Sequence, residues 1–494
     1  MSLTVTPTGR EAAAFPHSSA ERALTAELPA ALAVALRASG VRHCQWKGSD
    51  RPGRWSAGYG DIDLLVDRRD ALGFDAVLAG LGFKRALPAV TPPVPGVVSY
   101  IGMDGAVDRL IHVHAHFRIV LGAPWARHVR IPVERALLDA ATDDGSAFPT
   151  PPRAWEGLLF VLASTLKQRP WEGWSRQPPR WLREARTRLE YYEAATAPER
   201  IGPLLREHLP EVSLACFRRC LDSLHLRRPP WRRLLARYEL VRCLRPHARR
   251  PPLSTLPGLL AWRAAARLPG MPLLAPRGKP LAGGGTVIAL VGADGSGKST
   301  CTAALATWLS RELLVKTFHL GRPPRSLTTI LAGGLLRLAA GVASPSIREH
   351  ATLLRCLATA RDRYTLYHRA RRMASAGGIA LCERYPMPEN QALVGPSAAQ
   401  GVALTIRGPL AGALRRWESA YYTRMTAPDL VLVLRVPPDI AVARKTSEPA
   451  EYVRGRARLL WDVDWSRRGA ILVDAGLPLR DVLARLRRHI WQAL

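Results

Sequence analysis

The nine residues Gly292-Ala293-Asp294-Gly295-Ser296-Gly297-Lys298-Ser299-Thr300 fit the spacing G-x-x-x-x-G-K-S/T; the run TVIALV precedes them and the helical pattern CTAALATWLSREL follows. A strand, a glycine-rich turn and a helix in that order restrict the fold more than any other feature of the chain. Glycines let successive backbone N–H groups converge on phosphate oxygens, and the helix N-terminus adds its dipole. Lys298 then reaches the outer phosphates, and the Ser299 hydroxyl can ligate Mg²⁺. The run at 287–291 and further strand-like runs at 378–382, 430–436 and 470–473 alternate with helical patterns, which predicts a parallel α/β sheet.

Three more motifs follow. Ile379-Ala380-Leu381-Cys382-Glu383-Arg384-Tyr385-Pro386 is an apolar run ending in a charged pair; Pro428-Asp429-Leu430 leads into Val436-Pro437-Pro438-Asp439-Ile440-Ala441-Val442-Ala443-Arg444; Val473-Asp474-Ala475 lies near the end. With the phosphate loop, these four motifs make residues from 292 to the C-terminus resemble the thymidylate kinase family of P-loop nucleoside monophosphate kinases. The resemblance implies ATP and Mg²⁺ as cofactors. ATP would be held by Gly292, Asp294, Gly295, Ser296, Gly297, Lys298, Ser299 and Thr300, with Arg444, Asp474 and Ala475 beside the adenine. It implies Ser299 and Glu383 at the metal, and Asp294, Arg363 and Arg384 at the acceptor. Transferring a phosphoryl group concentrates negative charge, and none of Ala293, Asp294, Gly295 and Ser296 is basic. A further cation is therefore expected from a lid, with Arg454, Arg456 and Arg458 as candidates alongside Lys298 and Arg384. Relatives of this family are often dimers, so a homodimer is allowed, although no interface is readable. Where the family has R-E-P-G-G, this chain has His319-Leu320-Gly321-Arg322-Pro323-Pro324-Arg325, and after Tyr385 it runs Pro386-Met387-Pro388-Glu389-Asn390. The polar groups expected of a thymine reader are thus missing. dTMP is the leading named acceptor, and a sugar or other metabolite is the alternative.

Composition enters through charge. The 494 residues include 71 Lys plus Arg against 40 Asp plus Glu, a formal charge of +31 that raises the question of nucleic acid. Only seven of the basic residues are lysine, a skew that genomic base composition produces as readily as selection for polyanions. Residues 1–149 carry 16 basic and 15 acidic groups, residues 150–285 carry 25 and 10, and residues 286–494 carry 30 and 15. The middle segment shows no nucleic-acid module, and its arginines mix with Glu and Trp in a helical pattern, as in RWLREARTRLEYYEAA. A P-loop ATPase binding nucleic acid through this segment remains the reading from another class, and it is disfavoured. No stretch reaches the roughly 18 apolar residues that a span needs. The first residues, MSLTVTPTGREAAAF, do not read as a secretory signal. Seven cysteines without a C-x-x-C pair suggest neither disulfides nor a zinc–thiolate site, and the expected compartment is the cytoplasm.

The near-neutral N-terminal third holds a second pattern: Gly48-Ser49, then Asp61-Ile62-Asp63-Leu64-Leu65-Val66. On a strand, Asp61 and Asp63 project from one face and can share divalent metals. The spacing resembles polymerase-β-like nucleotidyltransferases, as does Trp46-Lys47-Gly48. A third carboxylate is then expected on a neighbouring strand. The candidate, Asp108-Arg109-Leu110-Ile111-His112-Val113-His114-Ala115-His116-Phe117, places His112 where the aspartate would stand, with His114 and His116 on the same face. The metal set read from this pattern is Asp61, Asp63 and His112, serving either nucleotide transfer or a degenerate, binding-only unit.

The expected architecture is α/β: a small α+β nucleotidyltransferase-like domain at 1–149, a basic helical connector and linker at 150–285, and a P-loop kinase domain with a parallel sheet at 286–494. Two stretches, 142–153 and 267–285, read as low-order punctuation. The function implied is ATP-dependent phosphotransfer to a small-molecule phosphate acceptor.

Overall fold

The computed structural model describes residues 26–50, 60–88, 94–122, 129–168, 180–225, 229–249, 278–341, 344–387, 407–465 and 469–494. Near the N-terminus, helix α1 (Leu28–Ala38) precedes strands β1 (His43–Gln45) and β2 (Asp61–Val66). Helix α2 (Ala71–Gly80) and strands β3 (Lys84–Ala86), β4 (Val97–Asp104) and β5 (Arg109–His116) follow. The sheet order is β1-β2-β5-β4-β3, with β2 and β5 parallel and the other neighbours antiparallel. Strand alternation sorts the side chains. Ile62, Leu64, Ile111 and Val113 bury against Leu32, Leu36, Phe74 and Leu78 of α1 and α2. The opposite face carries Asp61, Asp63, His112, His114 and His116. Asp108, expected on this strand, precedes it instead, in a turn with φ +58°.

A two-stranded ribbon, β6 (Ile119–Leu121) and β7 (Val129–Ile131), leads to six helices among the described residues: α3 (Glu134–Ala140), α4 (Arg153–Lys167), α5 (Arg180–Tyr192), α6 (Pro198–His208), α7 (Leu214–Ser223) and α8 (Pro230–Cys243). Two prolines of this stretch open helices: Pro198 and Pro230 occupy first-turn positions, where a missing N–H costs nothing, whereas Pro203 lies inside α6. One hydrophobic cluster joins Trp46 and Leu65 of the N-terminal sheet region to Leu158 and Leu162 of α4, Phe217 of α7 and Leu240 of α8. These helices therefore bury a face against the unit that precedes them.

The C-terminal unit runs β8 (Thr286–Gly292), α9 (Lys298–Leu309), β9 (Val315–His319), α10 (Leu327–Ala340), α11 (Pro345–Ser375), β10 (Ile379–Glu383), α12 (Pro409–Thr423), β11 (Leu430–Arg435), α13 (Pro438–Arg444), α14 (Ala450–Trp461), β12 (Ile471–Asp474) and α15 (Leu479–Ala493). The strand order is β12-β11-β8-β10-β9, and all neighbours are parallel. Every residue of β8 is buried, as a central parallel strand covered on both faces requires. One core contains Ile288, Leu290, Leu305, Leu432 and Leu486; the other contains Val287, Ala289, Val291, Val433 and Tyr367. With β10 and β11 on either side of β8, the crevice beyond its carboxyl end is where such sheets receive ligands. Among the described residues, no helix is long and apolar enough to cross a membrane.

Of residues 278–285, read from sequence as the end of a low-order linker, Gly278, Leu281 and Gly285 pack closely while 282–284 are exposed; 267–277 lie outside the described residues. A Cβ on Gly285 would stand 1.8 Å from the Gly378 carbonyl oxygen, and one on Gly278 2.1 Å from that of Leu313. Glycine is needed here for close backbone approach. The same segment ties the two sheets together: the Ala282 N–H donates to the Arg85 carbonyl at 2.9 Å and the Leu87 N–H to that of Pro280 at 2.7 Å. Ala86, Ile101 and Leu110 share a core with Leu281, Trp308 and Trp491, and the Trp491 indole donates to the Gly82 carbonyl at 3.0 Å.

Candidate functional site

The loop from Gly292 to Thr300 sits at the carboxyl end of β8. Gly295 (φ +80°) and Gly297 (φ +81°) take left-handed conformations, and Gly297 caps α9. A Cβ on Gly295 would lie 2.5 Å from the Ala441 carbonyl oxygen, so the turn closes only with glycine there, and one on Gly292 would lie 2.4 Å from Ser296 Oγ and displace that hydroxyl. The loop carries two buried polar groups suited to an anion. Lys298 Nζ, on a side chain 7% exposed, donates to the Ala293 carbonyl at 2.6 Å, and Ser296 Oγ is buried without a hydrogen-bond partner. Burial first, then the neighbouring Arg384 charge, pushes the Lys298 ammonium down to about 8, against the pull of Asp294 and Glu383. A phosphate beside it would relieve both effects.

Ser299 and Glu383 come together: the serine Oγ donates to Glu383 Oε2 at 3.0 Å. A hydroxyl at the start of α9 and a carboxylate at the end of β10 form an oxygen pair of the kind Mg²⁺ takes. Beside them is a charge cluster. Arg384, a non-glycine residue with φ +53°, lies with Nη2 2.7 Å from Asp294 Oδ1, and Arg456 Nε stands 2.8 Å from Asp294 Oδ2. Of the three candidate lid arginines, Arg456 is the one brought to the loop. Arg454 pairs with Glu451 and lies 3.6 Å from Asp439, and Arg458 is exposed on α14. Strain at Arg384 is consistent with a side chain held in place for a task.

Arg363 is buried, with 2% exposed. Its Nε donates to the Leu320 carbonyl at 3.1 Å, Nη2 to that of Gly321 at 3.4 Å and Nη1 to Tyr422 Oη at 2.6 Å. It thus clamps the turn after β9. That turn supports the Arg384 side chain, since a Cβ on Gly321 would lie 2.6 Å from Arg384 Cδ. Arg444, Asp474 and Ala475 also assemble: Arg444 Nη1 donates to the Ala475 carbonyl at 2.7 Å, and Asp474 Oδ1 accepts from the Gly476 N–H at 2.8 Å. Thr300 is exposed in the first turn of α9. Pro388, Glu389 and Asn390 lie outside the described residues.

In the N-terminal unit the parallel register pairs Asp61 with His112 and Asp63 with His114. The two aspartates take different partners. Asp61 Oδ1 is 2.7 Å from His112 Nδ1, which is 3.9 Å from Glu312 Oε2 of the C-terminal unit. Asp63 Oδ1 is 2.8 Å from Lys47 Nζ, 3.4 Å from His114 Nδ1 and 3.3 Å from His116 Nε2. Burial alone would raise the Asp63 carboxyl, but Lys47 and the two imidazoles hold it well below its usual range. Burial keeps His114 below its ordinary value and takes His116 down to about 3. Ser49, of the Gly48-Ser49 pair, donates to the buried Glu156 on α4, and Tyr192 Oη donates to the same carboxylate at 2.9 Å. Neither Glu312 nor Glu156 carries a local signal, because each reaches its site only when helices from elsewhere dock.

No family model matches the chain, and no curated protein matches it.

Proposed function

We propose that the C-terminal unit is an ATP-dependent phosphotransferase whose acceptor is a small molecule bearing a phosphate, a nucleoside monophosphate first and dTMP its leading candidate. The observation carrying this reading is the convergence at the end of β8 of a glycine-closed phosphate loop, the Ser299–Glu383 pair and the Arg384–Asp294–Arg456 cluster. The residues fit Mg-ATP: a buried ammonium and an unpartnered buried hydroxyl await an anion, and the oxygen pair suits the metal. Mg²⁺, when bound, supplies charge neutralisation on the phosphates.

Each residue then has a role. The backbone N–H groups of the loop and Lys298 bind the outer phosphates, and Ser299 and Glu383 would hold the metal. Arg384 orients the acceptor phosphate, while Arg456 meets the charge that develops on the transferred group. Asp294 keeps the two guanidinium groups apart and aimed inward before ligands arrive. Arg363 acts one step back, fixing the turn on which Arg384 rests. Arg444, Asp474 and Ala475 form the shelf for the adenine.

A [γ-³²P]ATP transfer assay across nucleoside monophosphates and sugar phosphates, with Lys298→Ala as control, tests the reading. Transfer to a nucleotide that disappears in the variant is expected. ATP binding without transfer to any phosphorylated acceptor would refute it.

A further inference from the structure

Outside the phosphate loop, the most concentrated chemistry lies on the free face of the N-terminal sheet. The register that sets Asp63 opposite His114, with His116 two residues on, brings one carboxylate oxygen and two imidazole nitrogens within 4.8 Å of one another. Asp63 Oδ1 stands 3.4 and 3.3 Å from the two nitrogens. A tetrahedral ion with bonds of about 2.0–2.1 Å separates its ligand atoms by roughly 3.4 Å, which matches both carboxylate–imidazole distances. Both rings are held in place: His114 and His116 lie 4.6 Å apart centroid to centroid, and Trp46 packs edge-on against His116 at 5.0 Å. His116 is 3% exposed, and it turns Nε2, the nitrogen of the proposed site, toward Asp63 at 3.3 Å.

The donor set selects the metal. Mg²⁺ takes oxygens in near-ideal octahedra, whereas two neutral imidazoles and one carboxylate suit zinc and its neighbours. The second cluster on this face, Asp61, His112 and Glu312, has the opposite balance of two carboxylates to one imidazole. Access also differs from a closed structural site. His116, one of the three donors, and Lys47 line a cavity of about 290 Å³, which Glu156, Phe160 and Tyr192 line as well. Three protein ligands, one of them on a cavity wall, leave a metal a position for water or a small molecule.

We propose that Asp63, His114 and His116 form a site for a zinc-class divalent metal, with its remaining position turned toward this cavity. The Lys47 ammonium, 2.8 Å from Asp63, is the cation that the metal displaces, and its side chain is 38% exposed and free to swing away. The inference is independent of the phosphotransfer reading.

The test uses the full chain, stripped with chelator and titrated with Zn²⁺ in millimolar Mg²⁺ by calorimetry and metal analysis. One Zn²⁺ per chain is expected. Asp63→Asn and His114→Gln should each weaken it at least about 100-fold, beyond the ~10–100-fold of an outer-shell change. Lys47→Met should tighten it, and His112→Gln should leave it within about threefold. Co²⁺ bound to the wild type should give a four-coordinate visible spectrum without thiolate charge transfer, a readout that needs no variant to fold. Absence of stoichiometric Zn²⁺, a thiolate band, displacement by Mg²⁺, or equal loss in His112→Gln would overturn the proposal.

Discussion

Asp294→Asn isolates the charge on which the loop depends. The carboxylate is 8% exposed and meets Arg384 at 2.7 Å and Arg456 at 2.8 Å, on side chains 23% and 13% exposed. The amide keeps the shape and one acceptor oxygen but removes the charge, leaving Arg384 and Arg456 to repel each other and Lys298. Breaking a fully buried ion pair costs about 3–5 kcal/mol, and exposed pairs are worth under about 1 kcal/mol. For this intermediate burial, a loss of about 2 kcal/mol is expected. In a unit of this size that lowers the melting midpoint by about 4–8 °C.

The same cations should then welcome an anion more strongly. Inorganic tripolyphosphate at a hundred times its Kd stabilises by about 2.7 kcal/mol, and the variant should recover most of its deficit at a lower concentration than the wild type needs. Scanning calorimetry of both proteins, with and without tripolyphosphate, measures the two effects. If the variant melts within about 1 °C of the wild type, or if both gain equally from the anion, the carboxylate is not holding these arginines against repulsion.

Three further outcomes follow from the loop. Gly295→Ala should abolish nucleotide binding, because its Cβ meets the Ala441 carbonyl, whereas Gly297→Ala, with a similar φ but no atom within 4 Å, should cost only about 1–2 kcal/mol of left-handed strain; a fluorescent ATP analogue ranks them. With the Lys298 ammonium at about 8, ATP binding at pH 8 should take up about half a proton and at pH 6 almost none, read from calorimetric heats in buffers of different ionisation enthalpy. The same depression means that the unfolded chain binds more protons than the folded one between about pH 8 and the ordinary 10.5, so Lys298 costs stability below pH 8 and the cost fades as pH rises through that window. Glu383→Gln should raise the Mg²⁺ requirement of phosphotransfer about 10–100-fold without weakening metal-free tripolyphosphate binding, as a Mg²⁺ titration at fixed ATP and a metal-free anion titration would show.

The parallel sheet was legible because its strands are continuous apolar runs whose pattern owes nothing to distant contacts, and the phosphate loop because its spacing is local. Arg456 was half legible. On α14 the buried residues are Val453, Ala457 and Leu460, and Arg456 borders that stripe, whereas Arg458 lies on the exposed side. Helical phase therefore favours Arg456, but only docking of α14 shows that the stripe faces the loop. Arg363 shows the opposite failure: one arginine among many has no pattern to distinguish a ligand-facing guanidinium from a clamp on the Leu320 and Gly321 carbonyls. Alternation put the N-terminal histidines on one face, but it could not divide them between Asp61 and Asp63. That division is set by the parallel register of β2 and β5, strands far apart in sequence.

Charge separates the N-terminal face from the two-metal clamp that its D-x-D spacing resembles. Three carboxylates converge there, Asp61, Asp63 and Glu312, the last supplied by the C-terminal unit where His112 contributes no negative charge. Among the described residues, Lys47 offsets Asp63 at 2.8 Å and Lys279 offsets Glu312 at 2.6 Å, leaving one net negative charge to face any cation. Two Mg²⁺ ions bring four positive charges and want oxygen ligands, so both lysines would have to withdraw before such a pair could settle. Withdrawal is unequal. Lys279 is 24% exposed and belongs to the segment that joins the two sheets, while Lys47 is 38% exposed at the mouth of the cavity. The side of the face that can exchange an ammonium for a metal is thus the side that presents two imidazoles.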